Sequence, residues 1–320
     1  MRKLLSIILL VMLCLPFVQA QQQPQFTHYG FNGLQISPAY AGITNRPEVL
    51  SIYRYQWLGY DATFDDGGSP QTFFISAHTP VRLLKGGLGI NLMRDKVANT
   101  TLMTAGLSYS LHLKLGEGKL GLGMQGNMNN IRKGSYRAND EDDPFVPYNS
   151  SDTKYDLGAG LWYESATFYA GGGITNLLRS EYKFTNEVSS DTTGTFLGEN
   201  HMYATAGYYL PLTKELVMTP MAMVKHDSET FSFDVGVRAT YDEKYWLGLN
   251  YRHEESVGAL VGLGLLADNS LRVGYAIDLT IVNQAAKAPT SHEVMISYRL
   301  PEPVVRLKPP VRTPRYNFIR

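Results

Sequence analysis

The sequence has a single cysteine and no long hydrophobic run after its first twenty residues. Cys14 lies within an apolar stretch, Leu4–Val18, that follows Arg2 and Lys3 and is followed closely by Ala20. This pattern predicts a cleavable signal peptide over residues 1–20, because the apolar run is shorter than the roughly 20 residues of a spanning helix. Cleavage after Ala20 leaves a mature chain without a thiol, which excludes disulfides, cysteine-based zinc sites and thiol nucleophiles.

The sequence also lacks an excess of charge of either sign. It contains 29 basic and 29 acidic residues, and removal of the two basic residues of the signal peptide leaves a net charge of −2. Nothing in this balance points to nucleic acid. Past the signal peptide no stretch is apolar enough to form a transmembrane helix, so a chain that spans a membrane must do so as a closed β-barrel.

The feature that is present throughout is an alternation of apolar and polar residues with a period of two. Residues 103–115 have apolar side chains at the odd positions and polar or small ones at the even positions, and 231–241 and 271–280 repeat the pattern. A soluble β-sandwich also alternates, but its strands average about 5 to 6 residues. The alternating runs here reach about ten residues, the length that a tilted strand needs to cross a bilayer.

We therefore predict an all-β fold, a closed antiparallel transmembrane β-barrel of about 14 strands over residues 48–300, in the outer membrane. Long connections alternate with short turns, as in outer-membrane barrels, which places both termini in the periplasm. Tyrosine and tryptophan near strand ends fit the interfacial belts. The predicted strands begin near Val49, Thr72, Gly87, Leu102, Lys119, Lys154, Thr167, Met202, Leu216, Phe231, Tyr245, Val257, Leu271 and Glu293.

Residues 21–47 precede the predicted barrel and are expected to form an N-terminal periplasmic or plug segment. A barrel of fourteen strands is narrower than an open porin of 16 to 18, so residues 21–42 are expected to fill its lumen and to leave little ion conductance. The predicted lumen face carries many glycines, such as Gly121, Gly123, Gly258, Gly262 and Gly264. Such glycines either let a plug approach the wall or let the sheet bend, and curvature is the favoured interpretation.

The sequence shows no catalytic centre, and we predict neither a metal nor another cofactor. None of the seven histidines has metal-ligand spacing, and no Gly-x-Ser-x-Gly element is present. Acidic clusters at Asp61 with 65–66, and at 140–143, lie in predicted outer loops, where they are either solvated, the favoured interpretation, or hold calcium. A barrel-wall enzyme without that serine motif is the remaining catalytic alternative.

The two ends of the mature chain carry the most specific motifs. The sequence PQFTHY at 24–29 leads to SPAYAG at 37–42 and YRYQW at 53–57, with GYAID at 274–278, SHEVMISY at 291–298 and PRYNF at 314–318 further on. Together they resemble the PorP/SprF family of outer-membrane proteins of the type IX secretion and gliding systems of Bacteroidota. The motif residues that we take as candidate partner contacts are Pro38, Ala39, Tyr40, Ala41, Gly42, Gln56, Trp57, Arg315, Tyr316 and Phe318.

This resemblance implies a barrel without enzymatic activity that supports the export or surface attachment of partner proteins, such as adhesins with a C-terminal targeting domain. It also implies contacts with periplasmic or outer-membrane type IX components and with the lipid bilayer. The proline-rich basic tail at 301–320 either docks on a periplasmic protein or is a disordered basic end. The alternative function is that of a passive outer-membrane transporter for small or hydrophobic molecules.

Overall fold

The computed structural model of the chain describes residues 24–61, 68–134, 149–185, 192–227, 230–266, 268–282 and 287–302. The predicted signal peptide, nearly all of the tail, and the acidic residues at 65–66 and 140–143 lie outside these ranges. No helix in the described chain is long and apolar enough to cross a membrane.

Seventeen strands are present in the described part of the chain, and fourteen of them form the wall of a closed antiparallel barrel. The wall consists of β1 (Glu48–Tyr55), β2 (Gln71–Val81), β3 (Gly86–Val97), β4 (Thr100–Leu115), β5 (Gly118–Lys133), β6 (Ser151–Glu164), β7 (Phe168–Thr175), β10 (His201–Tyr208), β12 (Leu216–Asp227), β13 (Phe231–Tyr241), β14 (Tyr245–Arg252), β15 (Ser256–Leu265), β16 (Leu271–Thr280) and β17 (Thr290–Arg299). The barrel has no free edge, because β10 pairs with both β7 and β12, and β1 pairs with both β2 and β17. The predicted strand number is confirmed, and each predicted start lies within three residues of the observed one.

The three remaining strands are accessory. β8 (Glu181–Thr185) and β9 (Thr192–Leu197) form a hairpin within the β7–β10 connection, and β11 (Leu210–Pro211) extends the pairing of β12. A short 3-10 turn, Arg82–Leu84, lies between β2 and β3. We call the end of the barrel with the connections 56–70, 134–150 and 176–200 the loop mouth, and the end with the turns 116–117 and 242–244 the turn mouth.

The alternation in the sequence separates an apolar outer face from a buried inner face. In β14 the odd positions point outward and the even positions point inward, in the burial pattern eBeBeBeB. Leu247 and Leu249 remain 61% and 58% exposed within the protein. Such large apolar side chains repeated around the outer face form the band that a lipid bilayer covers. The polar and glycine-rich inner face lines the lumen, where the buried core also lies.

Candidate functional site in the barrel lumen

The chain fills part of its own lumen. Residues 24–47, which we call the lumen segment, run through the barrel before β1 begins. The segment contains 3-10 turns at Tyr29–Phe31 and Pro38–Tyr40 and one short helix, α1 (Gly33–Ile36). Its apolar side chains pack against inward residues of the wall in two buried clusters. These two clusters are built between the wall and the lumen segment, and a third, of Ile131, Tyr182 and Phe184, lies between β5 and the β8–β9 hairpin.

Near the loop mouth, the carboxylate of Glu293 on β17 holds the lumen segment. It accepts hydrogen bonds from the backbone nitrogens of Thr27 and His28, both at 2.9 Å, and it contacts His28 Nδ1 at 2.6 Å. Glu293 is 1% exposed and His28 is fully buried. One carboxylate thus satisfies two backbone donors of an irregular segment that has no sheet partner, which a buried peptide requires.

Arg54 on β1 balances the charge of this carboxylate. Its Nη1 lies 2.7 Å from Asp278 Oδ2 and 3.3 Å from Glu293 Oε2, and it donates to Thr27 Oγ1 at 3.2 Å. The Thr27 hydroxyl also lies 2.8 Å from both carboxylate oxygens of Asp278. We call Thr27, His28, Arg54, Asp278 and Glu293 the anchor network. Buried charges are tolerated in such a setting because each has an opposite charge and hydrogen-bond partners.

A second buried arginine extends this network along the wall. Arg252 Nε lies 2.8 Å from Asp234, and its Nη1 lies 3.3 Å from Glu255 and 3.7 Å from Asp278. Glu255 belongs to the β14–β15 turn. Burial alone would raise the pKa of its carboxyl, but the charges of Arg252 and Arg54 outweigh burial and lower it. The Glu255 carboxylate therefore favours its charged form beside Arg252 and ties the β14–β15 turn to the anchor network.

The predicted motif 38–42 lies toward the turn mouth and contacts the wall. The Ser37 hydroxyl caps the 3-10 turn by accepting from Ala39 N, and the carbonyl of Ala39 accepts from Ser110 Oγ at 2.8 Å. The ring of Tyr40 packs edge-on against Trp162, with 4.9 Å between the ring centroids. Pro38, Ala39, Ala41 and Gly42 are buried and Tyr40 is partly buried, so their contacts are with this chain's own barrel.

Wall glycines make room for this motif. A Cβ atom at Gly121 would overlap the carbonyl oxygen of Ala39, and one at Gly123 would overlap its backbone nitrogen. At both positions the structure therefore shows close approach of the lumen segment to the wall. The sequence had favoured the other interpretation, in which these glycines let the sheet bend. Other glycines accommodate different side chains instead: Gly258 lies against Asn250 and Gly262 against Trp246 of the wall, and Gly264 lies against Asn269 of the β15–β16 connection.

The remaining predicted contacts lie elsewhere. Gln56 and Trp57 follow β1 at the loop mouth, where Trp57 N donates to Ser291 Oγ at 3.0 Å and the Trp57 carbonyl accepts from Ser69 Oγ at 2.7 Å. They are distant in the fold from the 38–42 motif, so the motifs do not form one site. Arg315, Tyr316 and Phe318 lie outside the described residues.

The two ends of the described chain lie at different mouths. Gln25 packs beside His201 and Asp227 at the loop mouth, whereas the Leu300 amide donates to Pro47 O at the turn mouth. Residues 24–47 cross the lumen before β1 starts, a path that the strand number alone does not reveal. The placement of both termini in the periplasm stays a prediction, because residues 1–23 and 303–320 lie outside the described ranges.

A cavity of about 470 Å³ lies between the lumen segment and the loop mouth. Leu34 and Gln35 of the lumen segment line it on one side, and Tyr182 and Phe196 of the β8–β9 hairpin line it near the loop mouth. Inward side chains of β3, β4 and β5 supply most of the remaining surface. Within the described ranges, no group of three or more histidine, cysteine, aspartate or glutamate residues is placed to hold a metal ion.

Sequence reasoning did not find the anchor network. Its members are scattered over the chain, and Thr27 and Asp278 are 251 residues apart. The available signal was a charged residue on the inner face of several strands, since Arg54, Asp278 and Glu293 all occupy lumen-facing positions. Arg54 and Glu293 are direct neighbours in the register of β1 and β17.

The fold and the lumen define the chain as an outer-membrane β-barrel whose interior is occupied by its own N-terminal segment. The family model of the type IX secretion system membrane protein PorP/SprF matches residues 18–298, nearly the whole described chain. The chain therefore belongs to the PorP/SprF family, a family of type IX secretion components of the outer membrane. This fold and family are typically non-enzymatic.

Comparison with curated proteins finds no match. Among solved structures, the chain is similar to the Acinetobacter baumannii outer membrane protein Omp33, with 10% identity over 80% of this chain and 98% of that one and a TM-score of 0.45. A Pseudomonas aeruginosa FadL homologue has 12% identity over 82% of this chain and 92% of that one, with a TM-score of 0.42. The TodX monoaromatic hydrocarbon channel mutant has 8% identity over 83% and 93%, with a TM-score of 0.48. At these scores the likeness says nothing about the function of this chain.

Proposed function

We propose that this protein is a non-enzymatic component of type IX secretion that supports the export or surface attachment of partner proteins, such as adhesins with a C-terminal targeting domain. The observation that carries the proposal is the occupied lumen. The lumen segment contacts strands around the barrel and is fixed by the anchor network at one end and by the 38–42 motif toward the other. A barrel obstructed in this way is better suited to holding a partner at its mouths than to passing solutes.

In this proposal the loop mouth faces the exterior and the turn mouth faces the periplasm. The exported partner contacts the long connections of the loop mouth, and the periplasmic machinery contacts the turn mouth together with the tail at 301–320. The signal peptide at 1–20 directs the chain to the outer membrane. Cross-linking from Tyr316 or Phe318 tests the tail, since capture of no protein would favour a free basic end over docking.

Epitope insertion tests the orientation. Gly59 lies at the loop mouth and Gly116 in a turn of the turn mouth, and a side chain added at either position would meet only open space. A short epitope inserted at Gly59 is expected to bind antibody on intact cells, whereas the same epitope at Gly116 should bind only after permeabilisation. The reverse pattern would contradict the proposed orientation.

The main experiment is co-purification. The full chain, tagged in the exposed turn at Gly116 and extracted in mild detergent, is expected to bring down a large surface protein in near-stoichiometric amount. A second outer-membrane barrel from the same cells, tagged and extracted in the same way, should not. Deletion of the gene is expected to remove that protein from the cell surface, and normal surface display of every type IX substrate would contradict the proposal.

The second candidate function is passive transport of small or hydrophobic molecules, and the 470 Å³ cavity is the observation that favours it. Leu34 and Gln35 of the lumen segment line this cavity. Transport through the barrel would require the lumen segment to move. Uptake by reconstituted vesicles, together with failure to recover any surface protein, would favour the transporter.

A further inference from the structure

The β8–β9 hairpin is attached to the barrel but does not belong to the sheet of the wall. Its two strands pair with each other, with Tyr182 opposite Phe196 and Phe184 opposite Gly194, and among the described strands they form a sheet of their own. A two-stranded hairpin is marginally stable in water unless it packs against other structure. The position of this hairpin therefore depends on its contacts with the wall.

Side chains, and not a strand ladder, hold β8 along the start of β6. Lys183 N donates to Asp152 Oδ2 at 2.9 Å. Thr185 N donates to Ser150 Oγ at 3.0 Å. Both hydrogen bonds are exposed to solvent. Water can replace the two acceptors at little cost in free energy, so these contacts can break while β8 and β9 stay paired.

A small apolar cluster fixes the inner face of the hairpin. Tyr182 and Phe184 of β8 are buried with Ile131 of β5, and Leu102 and Phe196 pack against them. This cluster has three buried members, whereas each of the two clusters around the lumen segment has nine. Elements with little buried apolar surface open locally at a low cost in free energy. The hairpin is therefore held to the wall less firmly than the lumen segment is.

The base of the hairpin joins its two strands. Arg179 precedes β8 and Glu199 follows β9, and Arg179 Nη2 lies 3.0 Å from Glu199 Oε1 and 2.7 Å from Oε2. Gly198 N also donates to Ser180 O at 2.9 Å. These bonds close the hairpin at its base. A rotation about residues 176–180 and 198–200, where the hairpin joins β7 and β10, would therefore carry both strands together.

The hairpin lies on the loop-mouth side of the cavity of about 470 Å³. The rings of Tyr182 and Phe196 line the cavity, whereas the side chain of Lys183, on the opposite face of β8, is exposed. Phe184 is 2% exposed and packs in the apolar cluster without lining the cavity. Displacement of β8 and β9 would remove two aromatic rings from the cavity lining and would open the cavity toward the loop mouth.

We propose that β8 and β9 form a lid over this cavity, which moves away from β6 as one unit and gives molecules at the loop mouth access to the cavity. The structure shows the closed position, in which the amides of Lys183 and Thr185 bond to the wall and Phe184 lies in the apolar cluster. The lid acts on access to the cavity and depends on neither of the two candidate functions.

Residue-resolved hydrogen exchange on the full chain in detergent micelles tests whether the hairpin moves as a unit. Successive amides of a strand point to opposite sides, so the amides of Tyr182 and Phe184 face β9 when those of Lys183 and Thr185 face β6. Opening of a paired hairpin is expected to make the amides at 183 and 185 exchange about tenfold faster, or more, than those at 182 and 184. Equal exchange at all four positions would overturn the proposal, because the hairpin would then not open as a paired unit.

Access to the cavity is measured with a reporter thiol. Thr104 lines the cavity, and Thr104→Cys in a Cys14→Ala background leaves one thiol in the chain, since Cys14 is the single cysteine. The reference is Glu254→Cys in the same background, at a side chain that is 79% exposed. A fluorescein-sized maleimide is expected to react about 100-fold more slowly at position 104 than at position 254, because the reaction at 104 requires the lid to open.

Two variants of β8 test the lid. Phe184→Ala removes a ring from the apolar cluster without changing a residue that lines the cavity, and it is expected to raise the reaction rate at position 104 by about tenfold or more. Lys183→Ala is the matched control, because it changes an exposed side chain of the same strand and keeps the amide that bonds to Asp152. Heat-modifiable migration in gel electrophoresis confirms that the barrel of each variant is folded.

Faster labelling at position 104 in the Phe184→Ala variant, with the Lys183→Ala variant and the reference at position 254 unaffected, supports the lid. Equal rates at positions 104 and 254 without any change in β8 would show that the hairpin does not close the cavity. A rate at position 104 that is insensitive to Phe184→Ala would show that the reagent enters by another route. Either of these two results would overturn the proposal.

Discussion

Replacement of Glu293 by glutamine is expected to loosen the part of the lumen segment nearest the loop mouth, while the rest of the segment stays in the lumen. The substitution keeps the shape of the side chain but removes the charge that faces Arg54 and weakens the acceptors for the backbone amides of Thr27 and His28. Breaking a buried ion pair by removing one partner costs about 3 to 5 kcal/mol. The apolar burial of Phe26 and Leu34, about 1.5 to 3 kcal/mol each, is unchanged, so the opening should be local.

Hydrogen exchange followed by mass spectrometry measures this opening. If local opening becomes about 3 kcal/mol easier, the amides at 27 and 28 should exchange about 100-fold faster, while those at 38–42 keep their protection. Glu254→Gln is the matched control. It removes the same charge from the β14–β15 turn, but at a side chain that is 79% exposed. Unchanged exchange at 27 and 28 in the Glu293 variant would refute the role assigned to the anchor network.

Three further perturbations test the packing of the lumen segment and the lipid-facing surface. The double variant Ala41→Cys, Gly89→Cys is expected to form a disulfide under oxidising conditions, which mass spectrometry would detect as a cross-linked peptide. A Cβ added at residue 89 would lie 3.3 Å from the Cβ of residue 41, close to the Cβ–Cβ range of disulfides, about 3.5 to 4.5 Å. Gly123→Ala is expected to destabilise the barrel by about 1 to 3 kcal/mol in denaturant titration through overlap with the lumen segment, whereas Gly126→Ala on the same strand, with open space around it, should have little effect. Leu249→Arg at the middle of the outer face should cost about 2 to 4 kcal/mol of stability in lipid vesicles, and wild-type stability there would contradict a membrane-facing surface.

The barrel could be predicted from sequence because its signals are local. Alternation with a period of two and turn residues between strands specify each hairpin, and hairpins joined in order close the sheet. The starts of β6 and β17 were each placed three residues late because Ser151 and Thr290 begin strands with polar residues, where the alternation has no apolar member to mark it.

The interior could not be predicted in the same way. Whether Gly121 and Gly123 bend the sheet or receive a neighbour depends on what lies opposite them, and Ala39 is about eighty residues away in the chain. The same holds for Arg54, whose partners belong to β16 and β17. Contacts of this kind depend on strand register and on the path of the lumen segment, neither of which a local pattern contains.

The most direct test of the closed lumen is the electrical conductance of the full chain in a planar lipid bilayer. The wild-type protein is expected to show no steady current of porin size, because residues 24–47 fill the lumen against the wall. A variant lacking residues 24–44, shown to be folded by its heat-modifiable migration, is expected to conduct. A steady, porin-sized current through the wild-type protein would contradict the account.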